Sequence, residues 1–528
     1  MNKNIKKILS VLFVASISGC NFLMNSETSS SNLSSSNISS SKFDSSSSTT
    51  STSSTSSSSS NSSSSISEKI IDVKNRDLEF ELNETQTAYY IKKYKNYEKN
   101  IRLPEKYNNL SVIGVLPKAF MSSGGVENIY FPDSYVEINV GAFYDCTTLK
   151  NYYVTNTNPV YSSVDGVLYT KDEKSIVAFP VGRTKTVTVK EGTVSIQSGA
   201  FYSSQAKKIV LPESLEEIGT EAFAYAKKLT TINIPSKIIN LPDGVFDTCL
   251  SLSDVSFSDS LEKISSRAFW GCAKLTEIVF PSSLKTIGDS AFESCSELTR
   301  LVFNEGLISV GTYSFAYCPN VYEIVFPSTL KTINDYAFIQ NTTLTELSFP
   351  EGLEELKEGA FYYTTNVKTV KIPSTVKEIG YDCFTSSDSA IRKFEVASNS
   401  NYYKSVNNVL YTKDGKTLVC YPADLVYEIN DSTYAVLEGT EVIAAHAFYN
   451  AEALTSLTLP ASVNHFGYSP FYMCRGLRSL NFEGTIQQFN DIEKEVELYA
   501  GQQNIYWNET YYGRISEVTC SDGRITID

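Results

Sequence analysis

The residues best suited to chemistry are ten cysteines and two histidines. Cysteines can form disulfides, hold zinc or accept a lipid through a thioether. Cys146, Cys249, Cys272, Cys295, Cys318 and Cys474 each stand three residues after a phenylalanine, and four of them follow one another at a spacing of 23. Zinc needs ligands that converge tetrahedrally, commonly as close Cys pairs, and an even spacing of 23 does not supply them. Stacked turns would bring such cysteines near one another, but in-register stacking aims their Cβ vectors side by side rather than at each other. The column therefore reads as buried free thiols. His446 stands two residues before Phe448 and His465 just before Phe466; with no placed nucleophile or acid partner, both read as surface side chains. Asp165-Gly166, Asp414-Gly415 and Asp522-Gly523 read as turns rather than cation loops. The expectation is no catalytic residue, no metal and no cofactor.

Cys20 is different. Lys3, Lys6 and Lys7 precede an apolar run from Ile8 to Ile17, too short to span a bilayer, and Ile17-Ser18-Gly19-Cys20 comes next. This resembles the lipobox of bacterial lipoproteins, which implies residues 1–19 as signal peptide and Cys20 as the site of lipid attachment. Residues 20–67 read as a disordered tether, because 27 of the 42 positions from Ser26 to Ser67 are Ser and such a tract cannot offset the entropy of ordering it. Its r.m.s. span would be roughly 35–40 Å. The formal net charge of −14 argues against nucleic acid and anionic lipid surfaces, which reward basic proteins.

A small-residue–Phe pair recurs at Phe120, Phe143, Phe201, Phe223, Phe246, Phe269, Phe292, Phe315, Phe338, Phe361, Phe384, Phe448 and Phe471. Nine of the twelve intervals are 23 residues and one is 22; the other two, 58 and 64, are single periods carrying insertions. In the unit Pro281–Phe303, Leu298-x-x-Leu301-x-Phe303 reads as a strand that the proline opening most units would stop. Ser198, Thr220, Asp243, Ser266, Asp289, Thr312 and Asp335 stand three residues before the Phe. Their types suit a helix N-cap, so a short helical or 3-10 turn is expected there. No such unit buries its apolar face alone, so the period predicts a stacked, β-rich solenoid.

The unit from Phe280-Pro281 through Leu284, Ile287-Gly288, Ala291-Phe292, Cys295, Leu298 and Leu301 resembles the repeat of the BspA-like leucine-rich-repeat proteins of bacterial surfaces. The resemblance covers about Asp72 to Asp528. It implies a leucine-rich-repeat solenoid over 104–484, with short parallel strands, an N-terminal cap at 68–103 and a C-terminal cap at 485–528. It further implies an exported, surface-displayed scaffold; together with the lipobox-like Cys20, the expectation is a lipid-anchored protein on the extracellular face of a bacterial membrane, touching that membrane through the anchor alone. Such proteins serve adhesion and protein binding; the resemblance fixes no ligand.

Val164 to Pro180 and Val406 to Pro422 share ten identities in seventeen positions. They read as β-hairpins within insertions near 155–189 and 397–437, and structural punctuation is favoured over ligand-facing projections. Tyr144, Tyr202, Tyr362, Tyr449 and Tyr472 directly follow the core Phe and are read as covering joints between rungs. The best functional expectation is a non-catalytic surface protein whose partner is an unidentified macromolecule, most plausibly a host or bacterial surface protein. The alternative, a carbohydrate- or nutrient-binding surface lipoprotein, would want clustered aromatics, but only Trp270 and Trp507 exist. A side-chain-defined contact patch is expected on the strand face: Glu277, Arg300 and Glu323 beside Val279, Val302 and Val325. The competing reading of that patch is simple strand propensity with charges pairing across rungs.

Overall fold

The computed structural model describes residues 69–386, 388–495, 515 and 517–526. The expected signal peptide, Cys20, the expected Ser-rich tether, Trp507 and much of the expected C-terminal cap lie outside the described residues.

The central rungs build three columns of hydrogen-bonded chain, the first of them in separate short sheets. The first is the expected strand: Glu277–Val279, Arg300–Val302 and Glu323–Val325 pair in parallel, with Ile278, Leu301 and Ile324 in register. The second is a ladder of two-residue strands, Asn240–Leu241, Lys263–Ile264, Thr286–Ile287, Ser309–Val310, Thr332–Ile333, Glu355–Leu356 and Glu378–Ile379. Its core-facing members are Leu241, Ile264, Ile287, Val310, Ile333, Leu356 and Ile379. Alternation cannot reveal a strand of two residues, so this ladder was not foreseen.

The third column holds the phenylalanines, and it modifies the expected turn. Bonds of the 3-10 type are present: Trp270 N–H donates to Arg267 O (3.1 Å) and Cys272 N–H to Phe269 O (3.1 Å). They do not propagate into a helix, because alternate N–H groups reach the next rung instead, as Phe269 does to Ala291 O (2.7 Å) and Phe292 to Ser314 O (2.7 Å). Left-handed backbone two residues before and after the Phe makes this alternation in the central rungs, at Arg267 (φ 56°) and Gly271 (φ 68°), then at Ser290 (φ 54°) and Ser294 (φ 63°). The left-handed conformation costs a non-glycine residue about 1–2 kcal/mol, which the inter-rung bonds offset. The expected N-cap residues are correspondingly reassigned. Asp243, Asp289 and Asp335 accept from the backbone N–H of Ser266, Thr312 and Glu358, at 3.0, 2.9 and 3.1 Å. They cap the following rung rather than their own turn.

The rings stack along the axis: Phe269–Phe292 at 5.0 Å, Phe292–Phe315 at 5.1 Å and Phe315–Phe338 at 5.4 Å, within 5–7° of parallel. Burying each side chain contributes roughly 2–3 kcal/mol.

At the N-terminal end, Leu78–Leu82 and Ala88–Tyr94 form an antiparallel hairpin whose second strand pairs in parallel with Leu110–Val115. The strand ladder extends back through Asn100–Arg102 to Ile71–Asp72, ahead of the first Phe of the column. At the other end Thr485 caps the helix Ile486–Asn490 in a reciprocal capping box with Gln488. Glu517–Cys520 continues the strand ladder from Ser479–Phe482. Among the described residues no helix is long and apolar enough to cross a membrane.

Both insertions are antiparallel meanders. Tyr161–Val164, Val167–Thr170 and Ser175–Ala178 make the first, and Tyr403–Val406, Val409–Thr412 and Thr417–Cys420 the second. In each, the third strand enters the two-residue ladder. The apolar core divides at the meanders into three parts carrying two, nine and two members of the Phe column. They are punctuation in the packing sense.

Candidate functional site

The residues expected on the strand face do come together. Register puts Glu277, Arg300 and Glu323 in one row and Val279, Val302 and Val325 in the next. Arg300 Nε lies 2.5 Å from Glu323 Oε2, holding that carboxyl below its usual range. Val279 is 82% exposed, Val325 39%, and Tyr322 adds a further exposed ring at 54%. The row is an apolar strip open to water beside an ion pair, a geometry suited to contact rather than to chemistry.

The cysteine column has a structural task. Each Sγ donates to the carbonyl of the Phe one rung back: Cys249 to Phe223 O and Cys272 to Phe246 O at 3.2 Å, Cys295 to Phe269 O and Cys318 to Phe292 O at 3.3 Å. Asn341 takes the same position and bonds Phe315 O and Phe338 O, both at 2.8 Å. The thiol is thus a small donor satisfying a buried carbonyl. All nine described cysteines are free, and eight are buried.

His446 corrects the sequence reading. It is not a surface side chain: its Nδ1 lies 2.7 Å from Asp382 Oδ1, both groups are nearly buried, and the rings of Tyr449, Tyr468 and Tyr472 surround it. The partner is 64 residues away, across the second insertion. His465 is half-buried between Glu493 and Glu495, at 3.4 and 3.5 Å. Cys383, Cys420 and His446 line one cavity of about 110 Å³ beside Asp382, which would resemble a Cys–His–Asp constellation. Burial works against it: it pushes the Cys420 thiol up to about 12 and moves the Cys383 thiol upward as well. A nucleophilic cysteine needs the opposite shift. The Asp382–His446 pair instead pins together rungs on either side of the insertion. Among the described residues no cluster of three or more His, Cys, Asp or Glu could hold a metal.

The tyrosines also behave as joint covers. Tyr144 stacks on Tyr202 at 3.8 Å across the first insertion, and Tyr449 on Tyr472 at 5.1 Å.

A family model described as a BspA type leucine rich repeat region matches the chain in six copies, over residues 78–164, 177–298, 262–391 and 427–494, more than half of its length. No curated protein matches it. Among solved structures the chain is similar to a leucine rich cell surface protein from Faecalibacterium prausnitzii A2-165, at 24% identity over 81% of this chain and 98% of that one, with a TM-score of 0.40. A leucine-rich repeat protein from Bacteroides ovatus matches at 18% identity over 79% and 96%, TM-score 0.46. Another, from Eubacterium ventriosum, matches at 17% over 61% and 97%, TM-score 0.37.

Proposed function

The chain belongs to the BspA-type leucine-rich repeat family, and from that premise we propose that it is a non-catalytic, surface-displayed scaffold that binds another protein through its strand face. The observation that carries this reading is the in-register row of Val279, Val302 and Val325, with Val279 almost wholly in water. An apolar strip exposed over neighbouring rungs and rimmed by charge suits contact with another protein. The Arg300–Glu323 pair beside it would set register and exclude mismatched partners. Membership of a family described from bacterial surfaces supports display outside the cell.

The double substitution Val302→Asp with Arg300→Glu tests the strand face. Exposed ion pairs contribute about 0.2–1 kcal/mol, so melting should scarcely change while binding to a partner captured by pull-down is lost. Unaltered affinity for that partner would remove the strand face from the interaction.

We further propose that the chain is lipid-anchored through Cys20, a reading supported by the apolar run before it. Cys20→Ser should leave the protein without lipid and shift it from the detergent phase to the aqueous phase. Partitioning that does not change on this substitution would refute lipid attachment there.

A further inference from the structure

The two insertions share a meander but differ in the connection after it. In the first, five residues (182–186) connect Val181 to the next strand, Val187–Thr188; in the second, nine (424–432) connect Ala423 to Thr433–Ala435. The longer connection forms the helix Leu425–Ile429, and its fully buried Leu425 joins the core that contains Tyr411, Leu418 and Tyr421. The equivalent residues in the first insertion, Tyr169, Ile176 and Phe179, are buried too, with the Arg183 guanidinium 5.8 Å from the Phe179 ring centroid. Outside them the short connection leaves a cleft of about 1310 Å³, lined also by Tyr153, Val154, Val164 and Val187.

The cleft is charged at its rim. Lys150, Arg183, Lys185 and Lys190 line it against the single carboxylate of Asp165, on a chain whose net charge is −14. Lys150 and Lys190 pair outward with Glu127 and Glu173. Arg183 stands where Leu425 stands in the twin, and it is held by neutral acceptors: Lys150 O at 2.8 Å, Asn151 Oδ1 at 3.0 Å and Asp165 O at 2.5 Å. Neither Arg183 nor Lys185 has an ion-pair partner among the described residues. Positive charge lining a concave, low-dielectric site focuses its field on whatever enters.

One wall is an unpaired strand edge. Asn151–Val154 ends one parallel sheet and Val187–Thr188 begins the next, so the ladder is interrupted here. Val187 and Val189 donate to Lys208 O and Val210 O of the following rung; alternation turns the Thr188 N–H toward the cleft.

We propose that this cleft is a second binding site, for an extended acidic peptide segment of a partner protein that sets its carboxylates against Arg183 and Lys185 and an apolar side chain against Tyr153 and Val187 of the cleft wall. In the twin insertion the corresponding place is taken by the chain itself, the helix with Leu425 buried. The unpaired edge of Val187–Thr188 supplies main-chain pairing, the mode by which sheet edges take up peptides.

Random peptides displayed on phage, panned against the full chain, test this. Enriched sequences should carry Asp or Glu flanking Leu, Ile or Phe. Lys185→Glu, an exposed and unpaired position, should weaken the enriched peptides by about tenfold or more, and added salt should weaken them further. Replacing residues 182–186 with 424–432 should fill the cleft and abolish binding while melting stays cooperative. Val302→Asp with Arg300→Glu should leave it untouched, which separates this site from the strand face. No enrichment, enrichment without carboxylates, or equal binding to the grafted variant overturns the proposal. So does Lys185-dependent capture of an acidic polysaccharide in place of peptide.

Discussion

Phe292→Ala is expected to destabilise the solenoid by about 3–5 kcal/mol. The ring has no exposed surface, lies 5.0 and 5.1 Å from the rings above and below, and meets Phe280 edge-on at 5.7 Å. Its removal leaves a void bordered by three aromatic faces that backbone hydrogen bonds hold in place, since Phe269, Phe292 and Phe315 each donate to the next rung. Collapse into the void would break those bonds, so relaxation is limited. Excising all of Pro281–Phe303 should be far milder. The strand Glu277–Val279 then faces Glu323–Val325, Lys263–Ile264 faces Ser309–Val310, and the ring of Phe269 faces that of Phe315, each already in compatible register. Removing 11 residues from the same unit shifts all three columns out of step. Denaturant titration and thermal melting followed by circular dichroism distinguish these cases; equal tolerance of the long and short excisions would contradict the stacking account.

Cys249, Cys272, Cys295 and Cys318 are expected to react with a thiol reagent only when the chain unfolds. All four are fully buried and donate to a carbonyl. Burial moves every one of them upward, Cys318 to about 12 from an ordinary value of 9.0, so almost none is thiolate at neutral pH. Native labelling should therefore be slower than denatured labelling by at least about a thousandfold, the smallest population ratio of an ordinary folded domain. Intact-mass evidence of disulfides among the four would overturn this. Linkage gives a second readout. The folded thiols titrate above their unfolded value, so their stabilising contribution is complete below pH 9 and declines as pH rises from 9 toward 12. In that window each thiol that stays protonated in the fold removes about 1.4 kcal/mol per pH unit. Replacing the four by Ala or Ser should flatten the alkaline arm of the stability profile.

What the amino-acid sequence determined by itself is whatever repeats at constant offset. A contact between residue i of one rung and its equivalent in the next recurs every 23 positions, so the Phe column, the cysteine column, the strand and the solenoid were all legible. So were the meanders, because they are copies of each other. The residue types at Asp243, Asp289 and Asp335 announced capping, but not what they cap. That depended on left-handed residues such as Arg267 and Ser290, a backbone choice no side chain there demands. The ladder through Ile264 and Ile287 escaped notice because two residues are too few to alternate.

Tertiary structure alone decided the contacts whose offset is set by an insertion rather than by the period. Asp382 and His446 are 64 residues apart, each two residues before a Phe of the column, so the repeat makes them equivalents; only the structure shows that the second meander folds out of the stack and lets the flanking rungs close over them as a buried pair. The cleft at Arg183 has the same origin. Four fewer residues than in its twin leave the connection too short to turn inward as a helix, so Arg183 binds neutral acceptors at the rim, over the ring of Phe179, and a cleft remains beside it. Periodic packing is written locally in every unit, whereas filling a gap depends on the path and length of one connection relative to surfaces built elsewhere.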